Sequence, residues 1–362
     1  MRISFPFKNQ YFKRTASQKQ DPKIRAKNSN HLWNDPFDLM YTNSWNEQQH
    51  VLHIFHQEWH GIRAAAGALG GQKLAITAAT CLLQSEIEMI ANEIAVKNFD
   101  RIVCHAMSHN MSDIIHALLA MGLKEKLFVV MHGTQVQWAD PRERELSLLA
   151  CKMAQKKQIK KIHFLKNGFD LESELQYKPL LLNVSPSLRS KIAQQNEQAT
   201  NVALSAGWGN LGKNVHSNVF GAALSTKIHT VWHCAPDIVL PEPYQKKIQK
   251  LPRTDRSNIF AMIKISGVCL NASLFECHPV FNLESQAHQV PCIRGRLFLD
   301  AKENHPYVKL VTVDDVASVT EIKERINKLY SIPLKEIQQM TTDYQNESDA
   351  VSRQRYREFL EI

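Results

Sequence analysis

Long apolar runs are missing from this chain. Nowhere do the roughly 18 consecutive hydrophobic residues of a membrane-spanning helix occur. The opening MRISFPFKNQ has no apolar h-region followed by a small-residue cleavage site, so a secretory signal is not expected. CxxC pairs are missing as well. The 7 cysteines (Cys81, Cys104, Cys151, Cys234, Cys269, Cys277 and Cys292) are scattered and odd in number, which reads as reduced thiols in a cytosolic setting. Zinc fingers, RNP-type motifs and basic zippers are absent, so nucleic acid is not an expected partner.

What is present is globular in composition: 362 residues, 44% hydrophobic and 22% charged, long enough for two domains of ordinary size. The formal net charge is +9 and unevenly placed. Lys8, Lys13, Arg14, Lys19, Lys23, Arg25 and Lys27 face a single acid, Asp21, and Lys152 to Lys166 holds 6 lysines and no acid. Basic clusters of this kind, residues 8–27 and 152–166, suit an anionic membrane surface or a phosphate-bearing partner. A solvated face without a partner is the alternative.

Short apolar runs alternate with helical patterns. Strands are expected at Arg2–Phe7, Val51–Phe55, Leu74–Thr77, Arg101–His105, Leu127–His132, Lys161–Leu165 and Leu180–Asn183. A second series is expected at Asn201–Ala206, Ile228–His233, Gly267–Asn271, Pro291–Arg294 and Val308–Val311. Amphipathic stretches lie between them: Ser85–Lys97, Met111–Ala120, Arg142–Lys156, Asn282–His288 and Val316–Leu329. Strand and helix in alternation imply parallel sheets covered by helices on both faces. The fold class is therefore α/β, with two Rossmann-like doubly wound domains facing a cleft. The expected division is an N-terminal domain at 1–195, a C-terminal domain at 196–345, and a helix at 346–362 packing back toward the first domain. The boundary falls in the polar stretch Ser185–Thr200.

Ligands of open α/β sheets bind beyond the carboxyl ends of the strands. After Gly267–Asn271 come Glu276 and Glu284, separated by 7 residues with Pro279 between them. A helix beginning near Val280 would leave the N–H groups of Val280, Phe281 and Asn282 aimed at the cleft, a ready phosphate site. Glu284, one turn in, can accept two hydrogen bonds from a ribose diol, and Glu276 can reach sugar hydroxyls. This stretch, followed by Val290-Pro291, resembles the E-x7-E signature of retaining GT-B glycosyltransferases, in particular family 4-like members. His288 and Gln289 stand where that family commonly has Cys-Gly.

Other segments extend the resemblance. Gly207-Trp208-Gly209-Asn210-Leu211-Gly212-Lys213 is similar to the family segment whose Arg and Lys hold the donor diphosphate. Lys213 takes the lysine position, and Trp208 stands in place of the arginine. Read without the family, it is a Gly-rich turn with one lysine. His132, at the end of Leu127–Met131, matches a histidine that lines the donor sugar. Asp35-Pro36-Phe37 and the run from His53 to Ile62 are similar to the first strand and loop, with Gly61 allowing close approach and Glu58 or His60 activating an acceptor hydroxyl. His50, His53, His56 and His60 invite a metal reading, but alternation along a strand turns His53 away from His50 and His56. Asp-x-Asp, the metal-holding motif of the GT-A fold, does not occur.

The resemblance thus implies a hexosyl-type enzyme that moves a sugar, with retention, from a nucleotide-diphosphate sugar (UDP-sugar favoured) to a hydroxyl of a glycan or lipid-linked acceptor. The context it implies is bacterial polysaccharide or lipopolysaccharide synthesis. No cofactor or metal is expected; Glu276, His132 and Lys213 are the catalytic candidates. Gly207, Gly209, Lys213, Pro279, Val280, Phe281 and Glu284 are the donor-binding candidates. A non-catalytic GT-B-like binding protein, a nucleotide-sugar epimerase and a nucleic-acid-modifying glycosyltransferase are the alternatives. The basic clusters suggest a cytoplasmic enzyme, peripheral on the inner face of the plasma membrane. Flotation with anionic vesicles at low salt checks this: the protein is expected to float and to be released as salt rises, and failure to bind removes the membrane reading.

Overall fold

Central strands of a parallel sheet are covered on both faces and so are apolar along their whole length. Val51–His56 (β2), Arg101–His105 (β4) and Leu127–Met131 (β5) have that character, and all but Arg101 are buried. In the computed structural model, which describes residues 31–33, 48–164, 177–186, 200–207, 211–235, 237–252, 256–299 and 301–362, they form the middle of a six-stranded sheet. Its order is β1-β3-β2-β4-β5-β6, with β3 at Gln72–Ile76 and β6 at Lys161–Phe164. His31–Trp33 (β1) is an antiparallel edge. A second sheet, β11-β10-β7-β8-β9, is built from Val202–Ser205 (β7), Thr230–His233 (β8), Ile248–Lys250 (β9), Val268–Asn271 (β10) and Cys292–Arg294 (β11). All four of its pairings are parallel. Both sheets reverse their winding once, between β2 and β4 and between β7 and β10, and these switch points open the crevices where ligands bind.

Helices clothe the sheets. His60–Gly67 (α1), Gln84–Lys97 (α2), His109–Ala120 (α3) and Pro141–Gln155 (α4) belong to the first half. Val215–Leu224 (α5), Arg256–Ile265 (α6), Val280–Ala287 (α7), Pro306–Val311 (α8) and Val319–Leu329 (α9) belong to the second. One face of the first sheet packs on α2, α3 and α4 through Ile90, Ile115 and Leu146. Its other face, with Val103, Phe128 and Val130, is covered by the last turns of Leu334–Leu360 (α10), through Tyr356, Phe359 and Leu360. The final helix is thus longer than the 346–362 segment expected. Its C-terminal carbonyls accept from the first sheet: Arg101 Nε donates to Leu360 O (2.6 Å) and Lys161 Nζ to Phe359 O (3.3 Å). Cations suit that end of a helix.

Two expected strands take other forms. Val308–Val311 lies in α8, because Pro306 sits at the first helical position and His305 Nδ1 accepts from Tyr307 N (3.1 Å). Leu180–Asn183 is extended but joins no ladder; Leu181 N donates to His163 Nε2 (2.9 Å) instead. The lysine run is also partly spent. Lys161 pairs with Glu361 (2.8 Å) and Lys160 with Glu125 (3.2 Å), whereas Lys152, Lys156 and Lys157 are exposed. Arg2–Phe7, the 8–27 cluster, Asp35-Pro36-Phe37, Trp208 and Gly209 lie outside the described residues, as does most of the 185–200 boundary. Among the described residues no helix is long and apolar enough to cross a membrane.

Phe359 stands edge-on to Phe128 at 5.3 Å and lies 5.2 Å from Tyr177, fully buried. Phe359→Ala is expected to lower the stability of the chain by about 3 kcal/mol, read from the urea midpoint, through the cavity it leaves. A loss below about 1 kcal/mol would show that the returning helix does not hold the first sheet.

Candidate functional site

The switch point of the second sheet gathers the donor-side candidates. After β7 the chain makes a single 3-10 turn, Leu211–Lys213, and enters α5 through Asn214, whose left-handed backbone (φ 48°) suits asparagine. Asn214 Nδ2 donates to Ala272 O (3.0 Å) and Val316 O (2.6 Å). Asn218, buried one turn later, accepts from Ala272 N at 2.9 Å. Leu274 N donates to Gly212 O at 2.9 Å. The loop after β10 is therefore strapped to the turn after β7. Gly212 is needed there, since a Cβ would lie 2.3 Å from Cζ of Phe275. Gly207 packs beside Lys213 in the same turn.

This strapping brings Lys213 Nζ onto Glu276 Oε1 as an ion pair. Glu284, in the first turns of α7, is wholly buried, and the guanidinium of Arg256 at the start of α6 lies against its Oε1. Its other oxygen, Oε2, is buried without a hydrogen-bond partner, an unmet acceptor in a low-dielectric setting. Both glutamates of the motif thus face a cation. Sequence reasoning found Lys213 and missed Arg256; its place at a helix start after β9 was the available signal. Helix α7 begins at Val280, with Pro279 as its cap. Asn282 N bonds to Pro279 O (3.1 Å), so of the three amides expected to face the cleft, that of Asn282 is occupied by the helix's first turn. Glu284 reaches a ligand only if Arg256 moves, because its carboxylate has no exposed surface in this state.

The first domain contributes from across the cleft. Cys277 Sγ–H reaches the carbonyl oxygens of His132 and Gly133, each at 3.3 Å, and Asn183 Nδ2 donates to His278 O at 2.7 Å. Glu276 and His132, 144 positions apart in the chain, are brought to neighbouring places by this contact. His132 Nε2 bonds His105 Nδ1 (2.9 Å), and His105 Nε2 bonds His53 Nδ1 (2.9 Å). His56, by contrast, bonds Ser108 Oγ (2.7 Å). His53 and His56 fall on opposite faces of β2 and do not converge. Burial pushes His132, His56, His163 and His278 down to about 3. It holds His53 and His105 well below the ordinary histidine value too, with the Lys73 charge adding to the effect on His53.

Beside His132 lies a cavity of about 210 Å³, lined by Trp59, Ile62, Met107, Trp138, Glu143 and Ser147 among others. The acceptor-side expectations shift accordingly. Trp59 and Ile62, one turn apart, face this cavity, whereas Glu58, His60 and Gly61 are exposed and do not line it. The Glu58 carboxylate accepts from Thr77 Oγ1 (2.6 Å), Ala78 N (2.8 Å) and Ala79 N (3.2 Å), so it holds the loop after β3. No atom lies within 4 Å of a Cβ built at Gly61, so no close approach demands glycine there.

No family model matches the sequence, and no curated protein matches it. Solved structures do match. The chain is similar to an α,α-trehalose-phosphate synthase (UDP-forming) from Burkholderia vietnamiensis, with a TM-score of 0.54 and 12% identity, over 86% of this chain and 99% of that one. It is similar to the corresponding protein from Burkholderia xenovorans in complex with glucose-6-phosphate, with a TM-score of 0.55 and 13% identity, over 86% and 100%. A glycosyltransferase from Rickettsia africae matches at a TM-score of 0.54 and 12% identity, over 86% and 98%. At such identity the likeness shows the fold: two facing parallel-sheet domains, the GT-B arrangement.

The buried histidines give a stability prediction with a definite sign. Unfolded, each takes up a proton near its ordinary value; folded, it resists until about 3. The unfolded state then binds more protons between these limits, so stability is fully present above pH ~6.5 and lost as pH falls. Each such histidine is expected to remove about 1 kcal/mol per pH unit below that point. Urea midpoints should be level above pH 7 and fall steeply below 6.5; a level midpoint down to pH 5 contradicts neutral burial.

Proposed function

We propose that the chain transfers a sugar from a nucleotide-diphosphate sugar, UDP-sugar favoured, to a hydroxyl acceptor with retention at the anomeric carbon. The observation that carries this reading is the meeting of two cations, Lys213 and Arg256, with the two glutamates of E-x7-E at the second switch point, opposite His132. The similarity to UDP-forming trehalose-phosphate synthases supports the donor nucleotide. The motif alone supports a family 4-like placement, which those neighbours do not share.

A departing diphosphate develops negative charge. Lys213, Arg256 and the free amides of Val280 and Phe281 are placed to meet it, as preorganised donors do in other transfer enzymes. Arrival of the diphosphate would draw both cations away from their carboxylates. Glu284 would then take the ribose diol and Glu276 the sugar hydroxyls, which turns two internal ion pairs into donor contacts. His132 would hold the sugar from the other domain. The acceptor would enter the cavity beside it, where the indoles of Trp59 and Trp138 suit the apolar face of a sugar ring. Because the leaving charge is met by side chains and amides, the reaction proceeds without metal or other cofactor. The setting we favour is cytoplasmic, at an anionic membrane surface reached through the basic clusters, with a glycan or lipid-linked acceptor of polysaccharide or lipopolysaccharide synthesis.

A thermal-shift panel of UDP-, GDP-, ADP- and CMP-sugars tests the donor, since a ligand of the native state raises its melting temperature. UDP-sugar is expected to give the largest rise, unchanged by EDTA. Lys213→Ala and Glu276→Ala should each lower sugar transfer by roughly 100-fold or more with the fold retained. Free sugar and nucleotide without a glycosylated product would instead mark an epimerase, and unchanged partner binding without turnover would mark a scaffold.

A further inference from the structure

The cavity beside His132 is lined by polar side chains that the chain leaves open. Thr134 is 5% exposed, and its Oγ1 is buried without a hydrogen-bond partner. A buried hydroxyl left unmet is costly, so one in a cavity wall calls for a ligand that meets it. Gln137 accepts from Thr134 N through Oε1 (2.6 Å), which fixes the amide and leaves its Nε2 hydrogens to donate. Glu143, in the first turn of α4, lines the same cavity and reaches solvent, and its carboxylate makes no hydrogen bond or ion pair among the described residues. Partial burial and the Asp140 charge raise its pKa, against a smaller opposing effect of Arg142, so a further anion beside it is unfavourable. Arg142 does not line the cavity, because successive helical positions face different ways. Among the described lining residues there is no lysine or arginine. The aromatic wall is preset: the Trp59 ring rests against the His56 imidazole, centroids 3.9 Å apart, and His56 is held by Ser108 Oγ (2.7 Å). At about 210 Å³ the space falls below the roughly 300–1,000 Å³ of pockets for drug-sized ligands, which limits the occupant to a small one such as a single sugar ring.

We propose that this cavity takes an unphosphorylated sugar ring as the acceptor and rejects a sugar phosphate, with Glu143 as the residue that discriminates. A sugar hydroxyl both donates and accepts. Glu143 accepts from it, Gln137 Nε2 donates to it, and Thr134 Oγ1 does either. Ring hydroxyls therefore satisfy all three groups, with the indoles of Trp59 and Trp138 against the apolar face of the ring. A phosphate monoester brings about two negative charges at neutral pH and accepts far more than it donates. It would meet an acceptor-only carboxylate, with no described cation in the cavity wall to neutralise it. The cations of the site belong to the donor side: Lys213 and Arg256 stand on the second domain, paired with Glu276 and Glu284. The acceptor class deepens the transfer reading and rests on it; the charge preference of the cavity is measurable without transfer.

Tryptophan fluorescence of the full chain reads the cavity through Trp59 and Trp138. The probes are glucose, galactose, mannose and N-acetylglucosamine, each titrated beside its 6-phosphate. At least one neutral sugar is expected to bind, and its 6-phosphate to bind about tenfold more weakly at low salt. Glu143→Gln keeps the shape of an exposed side chain, so the melting temperature should hold. It is expected to bring the two members of that pair within about threefold, because only the repulsion is removed. A 6-phosphate that binds as tightly as its neutral partner overturns the proposal. So does a preference that Glu143→Gln leaves in place, and so does a protein that binds no probe in the set. Product assays with UDP-sugars separate this outcome from that of the transfer reading. Transfer to a sugar phosphate and to no neutral sugar keeps the transfer reading and overturns the acceptor class. The expected binding preference without any product overturns the transfer reading, and with it the acceptor role, while the charge preference of the cavity stands.

Discussion

The site depends on a polar seam between the two halves of the chain. The Cys277 thiol rests on the carbonyls of His132 and Gly133, and the Asn183 amide holds the carbonyl of His278. These groups are buried, and a buried polar group without a partner costs about 1–3 kcal/mol. The seam therefore fixes one relative placement of the loop after β10 and the end of β5. The return of α10 under the first sheet, with its last carbonyls held by Arg101 and Lys161, acts in the same direction. With both in place, Glu276 and His132 become neighbours, and a cleft between two domains becomes a site with walls of different chemistry.

Those walls divide the work. The second domain supplies charge: Lys213 and Arg256 against Glu276 and Glu284. A buried ion pair is poor evidence for stability, because desolvation offsets much of its Coulomb attraction. The first domain supplies neutral donors and acceptors. Burial lowers the proton affinity of His53, His105 and His132, so this wall does not compete with the cations opposite for an anionic ligand. Ala106, which follows His105 and carries a left-handed backbone (φ 64°), lines the same cavity, consistent with backbone strain collecting at working sites.

Much of the architecture was legible because parallel strands write themselves as short, wholly apolar runs. Arg101–His105 was readable to the residue, and Leu127–Met131 and Cys292–Arg294 to within one at each end. The run Val308–Val311 was not, because four apolar residues fit a buried helix as well as a strand, and Pro306 with the His305 cap settled the matter. Leu180–Asn183 failed for another reason: an extended segment becomes a strand only where a neighbour offers a ladder, and here side chains took its backbone groups.

By itself the sequence determined the α/β class, the two sheets and the E-x7-E pair, since these follow from local periodicity and from residue types at short spacing. Only the tertiary structure decided what each residue meets. Arg256 reaches Glu284 across 28 positions, Lys213 reaches Glu276 across 63, and His53, His105 and His132 join through the registers of three strands. It also set Trp59 and Ile62, rather than Glu58, His60 and Gly61, on the cavity beside His132, and committed the Glu58 carboxylate to the loop after β3. Such contacts are set by how sheets stack and helices return, and pattern along the chain carries no record of them.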